Sequence, residues 1–262
     1  MIARSAQSGF SLVELSIVLV ILGLLTGGIL GGQALIRAAE LRSVTTEYNR
    51  YTTAAQTFRD KYLSAPGDMP NSTAFWGDNN TSCPDAATAN GTPGTCNGNG
   101  NGIVEGAAPA ANGTMEGFQV WNQLSLAGMI EGSFSGTYNG SSTAVIGTSM
   151  PRAKLSNARW HTQSLPNYAG DGNIYAHDYI NYFYLSSASS VGEAPVLRPE
   201  EAWNVDTKVD DGRPAYGKVI AIFWNNACAA ADDGSSSNND LNASYRLNDS
   251  SLQCGLFFNK SY

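Results

Sequence analysis

From Leu15 to Ile36 the chain carries no charged side chain. As a helix, that run is long enough to cross about 30 Å of hydrocarbon. A short polar segment, Met1 to Ser8, precedes it, with Arg4 as its one charged side chain, and Glu14 stands just inside the start of the apolar run. An ionised group at the centre of a membrane helix costs ~2.5–3.5 kcal/mol on insertion scales and less near the end, so Glu14 requires a partner. A signal anchor with Glu14 snorkelling to the interface is one reading of this pattern. A cleaved secretory signal fits less well, because the run is long for such a segment and no Ala-x-Ala site follows it.

The residues at the start are Gly9-Phe10-Ser11-Leu12-Val13-Glu14-Leu15. A Gly before a Phe, with a Glu four residues after that Phe at the opening of an apolar helix, resembles the N-terminus of the type IV pilin and pseudopilin family. The resemblance implies that a prepilin peptidase cuts after Gly9 and that Phe10 becomes an N-methylated first residue. It implies that Glu14 neutralises the Phe10 ammonium of a neighbouring subunit in a filament. The implied partners are copies of the chain, other pilins, the peptidase, an inner-membrane assembly platform and membrane lipid. The implied location is the bacterial inner membrane before assembly, and the periplasm or a cell-surface filament afterwards. Pilus subunit and type II secretion pseudopilin both remain open. So does a reading from another class, a single-span anchored protein that binds a glycan or calcium and never polymerises.

The expected organisation is a leader over 1–9, a membrane or filament-core half of a helix over 10–36, an amphipathic half over 37–65 and a globular domain over 66–262. Val44, Tyr48, Tyr51, Ala55, Phe58 and Tyr62 recur at steps of four and three, while Arg42, Glu47, Arg50, Arg59, Asp60 and Lys61 fall mostly elsewhere. That is an apolar stripe on one helix face. Ala65-Pro66-Gly67 should stop the helix; unbroken from Ser11 to Leu63, it would be roughly 80 Å long. Gly23, Gly27, Gly28, Gly31 and Gly32 interrupt the apolar half, and in membranes such residues also let helices approach closely. The fold class that follows is α+β, the long helix packing on a domain with an antiparallel sheet.

Asp and Glu outnumber Lys and Arg by 22 to 15, a formal charge of −7. This argues against general affinity for nucleic acid and suits a surface outside the cell. All four cysteines lie beyond the apolar run, where an oxidising compartment keeps disulfides. Cys83 with Cys96 is the simplest pairing, closing a small loop worth ~3 kcal/mol in the chain-entropy model. Cys228 with Cys254 would staple the last strand, near Leu256 to Phe258, to the preceding sheet.

Two oxygen-rich turns are candidate cation sites. Asn97, Asn99 and Asn101 alternate before Gly102, with Glu105 beyond, which is the ligand spacing of an EF-hand-like calcium loop. Three Asn stand where Asp is usual, and Ala108 occupies the place of the bidentate Glu, so a Gly/Asn turn is the competing reading. Asp206, Asp210 and Asp211 fall in Asp206-Thr207-Lys208-Val209-Asp210-Asp211-Gly212-Arg213-Pro214. This looks like an Asp-x-Lys-x-Asp-Asp-Gly-x-Pro turn of some large pilin-like proteins; here a tight turn balanced by Lys208 and Arg213 competes with a cation site.

Residues 115–131 read as a helix that Gly132 ends, and 143–146, 174–185 and 218–224 as strands. A short helix begins at Pro199. Arg152, Lys154, Arg159 and Trp160 form a local basic-aromatic cluster, expected on a solvated strand. The two histidines, His161 and His177, stand in no metal-ligand spacing, and no nucleophile elbow or phosphate-binding loop appears. No enzymatic function is expected.

Overall fold

The computed structural model describes residues 11–78, 94–105, 116–136, 146–188, 194–222, 227–230 and 242–262. The chain divides into two compact units, Met1–Glu40 and Leu41–Tyr262. Helix α1, Leu12–Tyr62, is 51 residues long. In the first unit it is bare, with every residue from Leu12 to Gly31 exposed. Its polar side chains turn back on their own backbone, Ser16 Oγ donating to Val13 O at 2.8 Å and Thr26 Oγ1 to Leu22 O at 2.8 Å. Apolar side chains, with the few hydroxyls satisfied by the helix's own carbonyls, are what hydrocarbon demands of a helix.

The second unit has the α+β layout expected from the sequence. Strands β1 (Ala158–Tyr168), β2 (His177–Ser187), β3 (Val219–Ile222) and β6 (Gly255–Phe258) form one antiparallel sheet in the order β1-β2-β6-β3. A ribbon of β4 (Ala229–Ala230) and β5 (Ser244–Tyr245) stands apart. The register aligns Trp160, Leu185, Leu256 and Ala221 across the sheet, with Thr162, Phe183, Phe258 and Val219 as the next row. Because side chains alternate along a strand, most of these face α1 and α3 (Glu116–Leu126) in one core cluster. Tyr182, Tyr184, Ile220, Ile222 and Phe257 fill a second cluster with Ile174, Tyr175 and Ala215.

The stripe on α1 packs as its period predicts. Val44, Tyr48, Tyr51, Ala55 and Phe58 are buried. Tyr48 stacks on Phe258 with ring centroids 4.4 Å apart, and Tyr51 meets Trp121 edge-on at 5.0 Å. Glu47, expected off the stripe, is buried too. Its carboxylate accepts the Trp160 Nε1–H at 3.0 Å and the Lys154 N–H at 3.2 Å, so a charged group ties α1 to the sheet. Helix α3 ends earlier than Gly132. Gly128 takes a positive φ of 70°, Met129 N donates to Leu124 O and Gly128 N to Ser125 O, each at 2.9 Å. That paired closure is the Schellman motif, whose left-handed position glycine fills without strain.

Two further expectations change. The basic-aromatic cluster is not a solvated strand: Arg152 and Lys154 are exposed, but Arg159 and Trp160 are fully buried. The Arg159 guanidinium lies over the Tyr184 ring at 5.3 Å and donates to Met150 Sδ at 3.5 Å, partners that lie on other segments. Of the expected strand over 143–146, only Ile146 lies within the described residues, and it forms an isolated bridge with Met150. Cys228 and Cys254 are bonded, as expected, but Cys228 leads into the β4–β5 ribbon, so the bridge joins that ribbon to the start of β6. Cys83 lies outside the described residues, while its expected partner Cys96 is buried.

Candidate functional site

The N-terminal turn of α1 is the first candidate site. Gly9 and Phe10 lie outside the described residues. Ser11 precedes the helix; its carbonyl accepts the Leu15 N–H at 3.2 Å, the first helical bond. The Ser11 Oγ accepts the Val13 N–H at 3.3 Å, and Glu14 Oε2 accepts the Ser11 N–H at 2.9 Å. Glu14 is otherwise exposed at the head of the bare apolar helix. At the other end of that stretch Arg37 and Glu40 form an ion pair at 3.2 Å, marking the return of charge.

The Asn-rich turn is drawn together by residues far away in sequence. Asp68 accepts three backbone N–H groups, from Gly100 at 2.7 Å, Asn101 at 3.1 Å and Gly102 at 2.8 Å. Glu116, at the start of α3, accepts the N–H groups of Asn99 and Glu105, both at 3.0 Å. Asn181 on β2 accepts the Val104 N–H at 2.9 Å and donates to Gly102 O at 3.1 Å. The residues named from spacing divide. Asn97 accepts the Thr73 N–H at 2.9 Å, at the start of α2 (Thr73–Trp76). Asn99 and Asn101 aim their amide groups at Glu105 Oε1, at 3.1 and 2.6 Å. The turn thus presents N–H donors inward to carboxylates.

Burial, and next the facing carboxylate of Glu105, push Glu116 up to about 9. Burial also pushes Glu105 up, but hydrogen bonds from Glu116, Asn101 and Asn99 outweigh it and leave Glu105 below the usual range. The two therefore share one proton at neutral pH. Burial raises Asp68 in spite of its three N–H donors. Asp68, Glu116 and Asn181 were not singled out by spacing, since each reaches the turn only through the fold.

The third candidate closes helix α4 (Pro199–Val209), whose entry is held by the Arg198 N–H donating to Glu201 Oε2 at 2.9 Å. Carboxylate oxygens of Asp206, Asp210 and Asp211 lie within 4.8 Å of one another. Asp206 is fully buried; it accepts the Tyr245 O–H at 2.8 Å and the Gly212 N–H at 3.1 Å. Asp210 accepts the N–H groups of Lys218 and Val219, and Asp211 that of Arg213 at 2.9 Å. Burial raises Asp206 to about 7; Tyr245 and Gly212 pull it down, and Asp211 and Asp210 push it further up. Three converging carboxylates, one of them protonated near neutrality, can exchange that proton for a cation.

His161 is buried between Phe118 and Tyr184, at ring-centroid distances of 4.9 and 5.2 Å. Neither of its ring nitrogens has a hydrogen-bond partner among the described residues. Burial, and then Arg159, hold its pKa well below the ordinary value, so it stays neutral.

No curated protein and no solved structure matches the chain significantly. The family model for the prokaryotic N-terminal methylation motif matches residues 4–30. Those residues carry Gly9, Phe10 and Glu14 and run into the exposed apolar part of α1. Over those residues the chain carries the prokaryotic N-terminal methylation motif, the motif found at the start of type IV pilins and pseudopilins.

Proposed function

We propose that this chain is a structural subunit of a type IV pilus or pilus-like filament. In this reading prepilin peptidase cuts between Gly9 and Phe10, Phe10 is N-methylated, and the chain assembles with itself and other pilins through α1. The observation that carries the reading is the methylation motif at the head of a helix whose side chains from Leu12 to Gly31 are all exposed. Such a surface is stable only in lipid or against other apolar helices. The chain waits in the inner membrane and then enters a periplasmic or cell-surface filament raised by the assembly platform. Glu14 pairs across subunits with the new ammonium of Phe10, so that neither charge is buried alone, a state that costs several kcal/mol.

The test is a Glu14→Leu chain in a host lacking the native copy. It should insert, be cleaved and fold, yet be strongly depleted from sheared filaments quantified by mass spectrometry. The wild-type intact mass should match residues 10–262 plus one methyl, less the hydrogens of its disulfides. Assembly of Glu14→Leu at wild-type levels would refute the charge pairing, and an uncut leader in filaments would refute the processing.

A second reading concerns a cation. Convergence of Asp206, Asp210 and Asp211 within 4.8 Å favours calcium there over the Asn97–Glu105 turn, where Asn97 caps another helix. Carboxylate oxygens suit a hard cation. Binding would stabilise the end of α4 and release the proton of Asp206.

A further inference from the structure

The first four N–H groups of a helix have no partner within it. In a helix that begins at the edge of a membrane this deficit is expensive, because little water is at hand to satisfy it. At the start of α1 two of these groups are satisfied by side chains. The Ser11 Oγ takes the Val13 N–H at 3.3 Å, and Glu14 Oε2 takes the Ser11 N–H at 2.9 Å. Ser11 is the cap residue and Glu14 the third helical residue, the positions of a capping box, with the Ser11 hydroxyl taking the second helical N–H in place of the third.

We propose that Ser11 is a positioning residue for assembly: its hydroxyl caps the first turn of α1, so that its main-chain N–H is placed to hold one carboxylate oxygen of Glu14 and leave the other to receive a neighbour's ammonium. Among the described residues Oε1 of Glu14 accepts no hydrogen bond, and the side chain is exposed. The Ser11 N–H belongs to the peptide bond between Phe10 and Ser11, so cutting after Gly9 leaves it in place. Precursor and mature chain therefore both have the donor. The positive end of the helix adds to the hold on the carboxylate. A Glu side chain fixed in this way loses less freedom when it pairs, which is how preorganisation raises affinity. The box itself stands on the contacts within one chain; its role in assembly rests on the filament reading above.

Glu and Gln both form capping boxes, and only Glu carries charge, which separates the two roles. The experiment uses the full-length chain, cleaved in its host and kept unassembled in detergent micelles. Amide hydrogen exchange at Ser11 and Val13 is followed by NMR. Wild type and Glu14→Gln should protect the Ser11 amide alike. Glu14→Leu should lose that protection by roughly three- to tenfold, the scale of a lost cap interaction. Ser11→Ala should lose protection at Val13, and Ser11→Thr should keep it. In cells, with cleavage checked by intact mass, Ser11→Ala should enter filaments several-fold less than Ser11→Thr.

Equal exchange of the Ser11 amide in wild type and Glu14→Leu would overturn the box. Equal assembly of cleaved Ser11→Ala and Ser11→Thr would overturn its positioning role. Glu14→Gln, which retains the box, should still fail to assemble. Normal assembly of Glu14→Gln would instead refute the charge-pairing reading and leave the box standing, so the two ideas fail separately.

Discussion

Raising the pH from 6.5 to 9 should weaken the globular unit, and Glu116 should account for most of the loss. In the folded chain Glu116 keeps a proton up to about 9, whereas an unfolded Glu releases it near 4.3. The folded state thus binds more protons between these values, and stability falls as pH rises, ending once pH passes the folded pKa. Asp206, raised to about 7, adds the same sign only at the low edge of the window. His161 acts below it: held neutral by burial, it costs stability as pH drops under 6.5. The buried tyrosines Tyr51, Tyr245 and Tyr262 are raised and stay protonated throughout. One proton corresponds to at most ~1.4 kcal/mol per pH unit. Relaxation and water entry reduce this, leaving a loss of about 1–2 kcal/mol over the window. For a unit of this size that is a fall in Tm of roughly 2–8 °C. Trp121 and Trp160 are fully buried, so near-ultraviolet circular dichroism of the detergent-solubilised chain reports the transition. Glu116→Gln should remove at least half the slope. A flat or rising Tm from pH 6.5 to 9, or an unchanged slope in Glu116→Gln, would refute the assignment.

Calcium at millimolar concentration should raise Tm more at pH 8 than at pH 6, because Asp206 must release its proton to bind; Asp210→Asn should abolish the effect, and equal melts in calcium and chelator would exclude the site. Cys254→Ser should lower stability by ~2–5 kcal/mol and expose the β4–β5 ribbon to protease. Non-reducing peptide mapping should recover Cys228–Cys254 together with the expected Cys83–Cys96 pair, and a Cys83–Cys228 link would contradict the disulfide seen here.

Features carried by local periodicity were legible in the sequence, and those carried by distant partners were not. The α1 stripe could be read because Val44, Tyr48, Tyr51, Ala55 and Phe58 repeat at helical steps, and a helix buries what repeats. Glu47 broke the same rule. A charge beside a stripe reads as solvated until Trp160 and the Lys154 amide arrive from more than a hundred residues away. Arg159 was misplaced for the same reason, since its burial depends on the Tyr184 ring on the next strand. Spacing alone proposed Asn97, Asn99, Asn101 and Glu105, but the groups that organise that turn are Asp68 and Glu116. Neither belongs to any local pattern with it. At the N-terminus Gly9, Phe10 and Glu14 were legible because order and spacing carry the motif, whereas the role of Ser11 needed the hydrogen bonds themselves.

The Asn-rich turn and the turn after α4 share one device. Asp68, Glu116 and Asp206 are each buried, and each accepts backbone N–H groups from an irregular segment rich in Gly, Asn or Asp. Such segments have no helix or strand ladder to satisfy their donors, and an unpaired buried N–H is costly. A carboxyl group supplies two acceptor oxygens at one point, so a single side chain can shape a whole turn. The consequence is electrostatic. All three groups sit above their ordinary pKa because burial outweighs the N–H donors, and no Lys or Arg among the described residues forms an ion pair with them. A fold held this way loosens in base, and in acid these three carboxyl groups add stability while His161 removes it below pH 6.5. A domain that used Arg-paired carboxylates for the same turns would show the opposite slope.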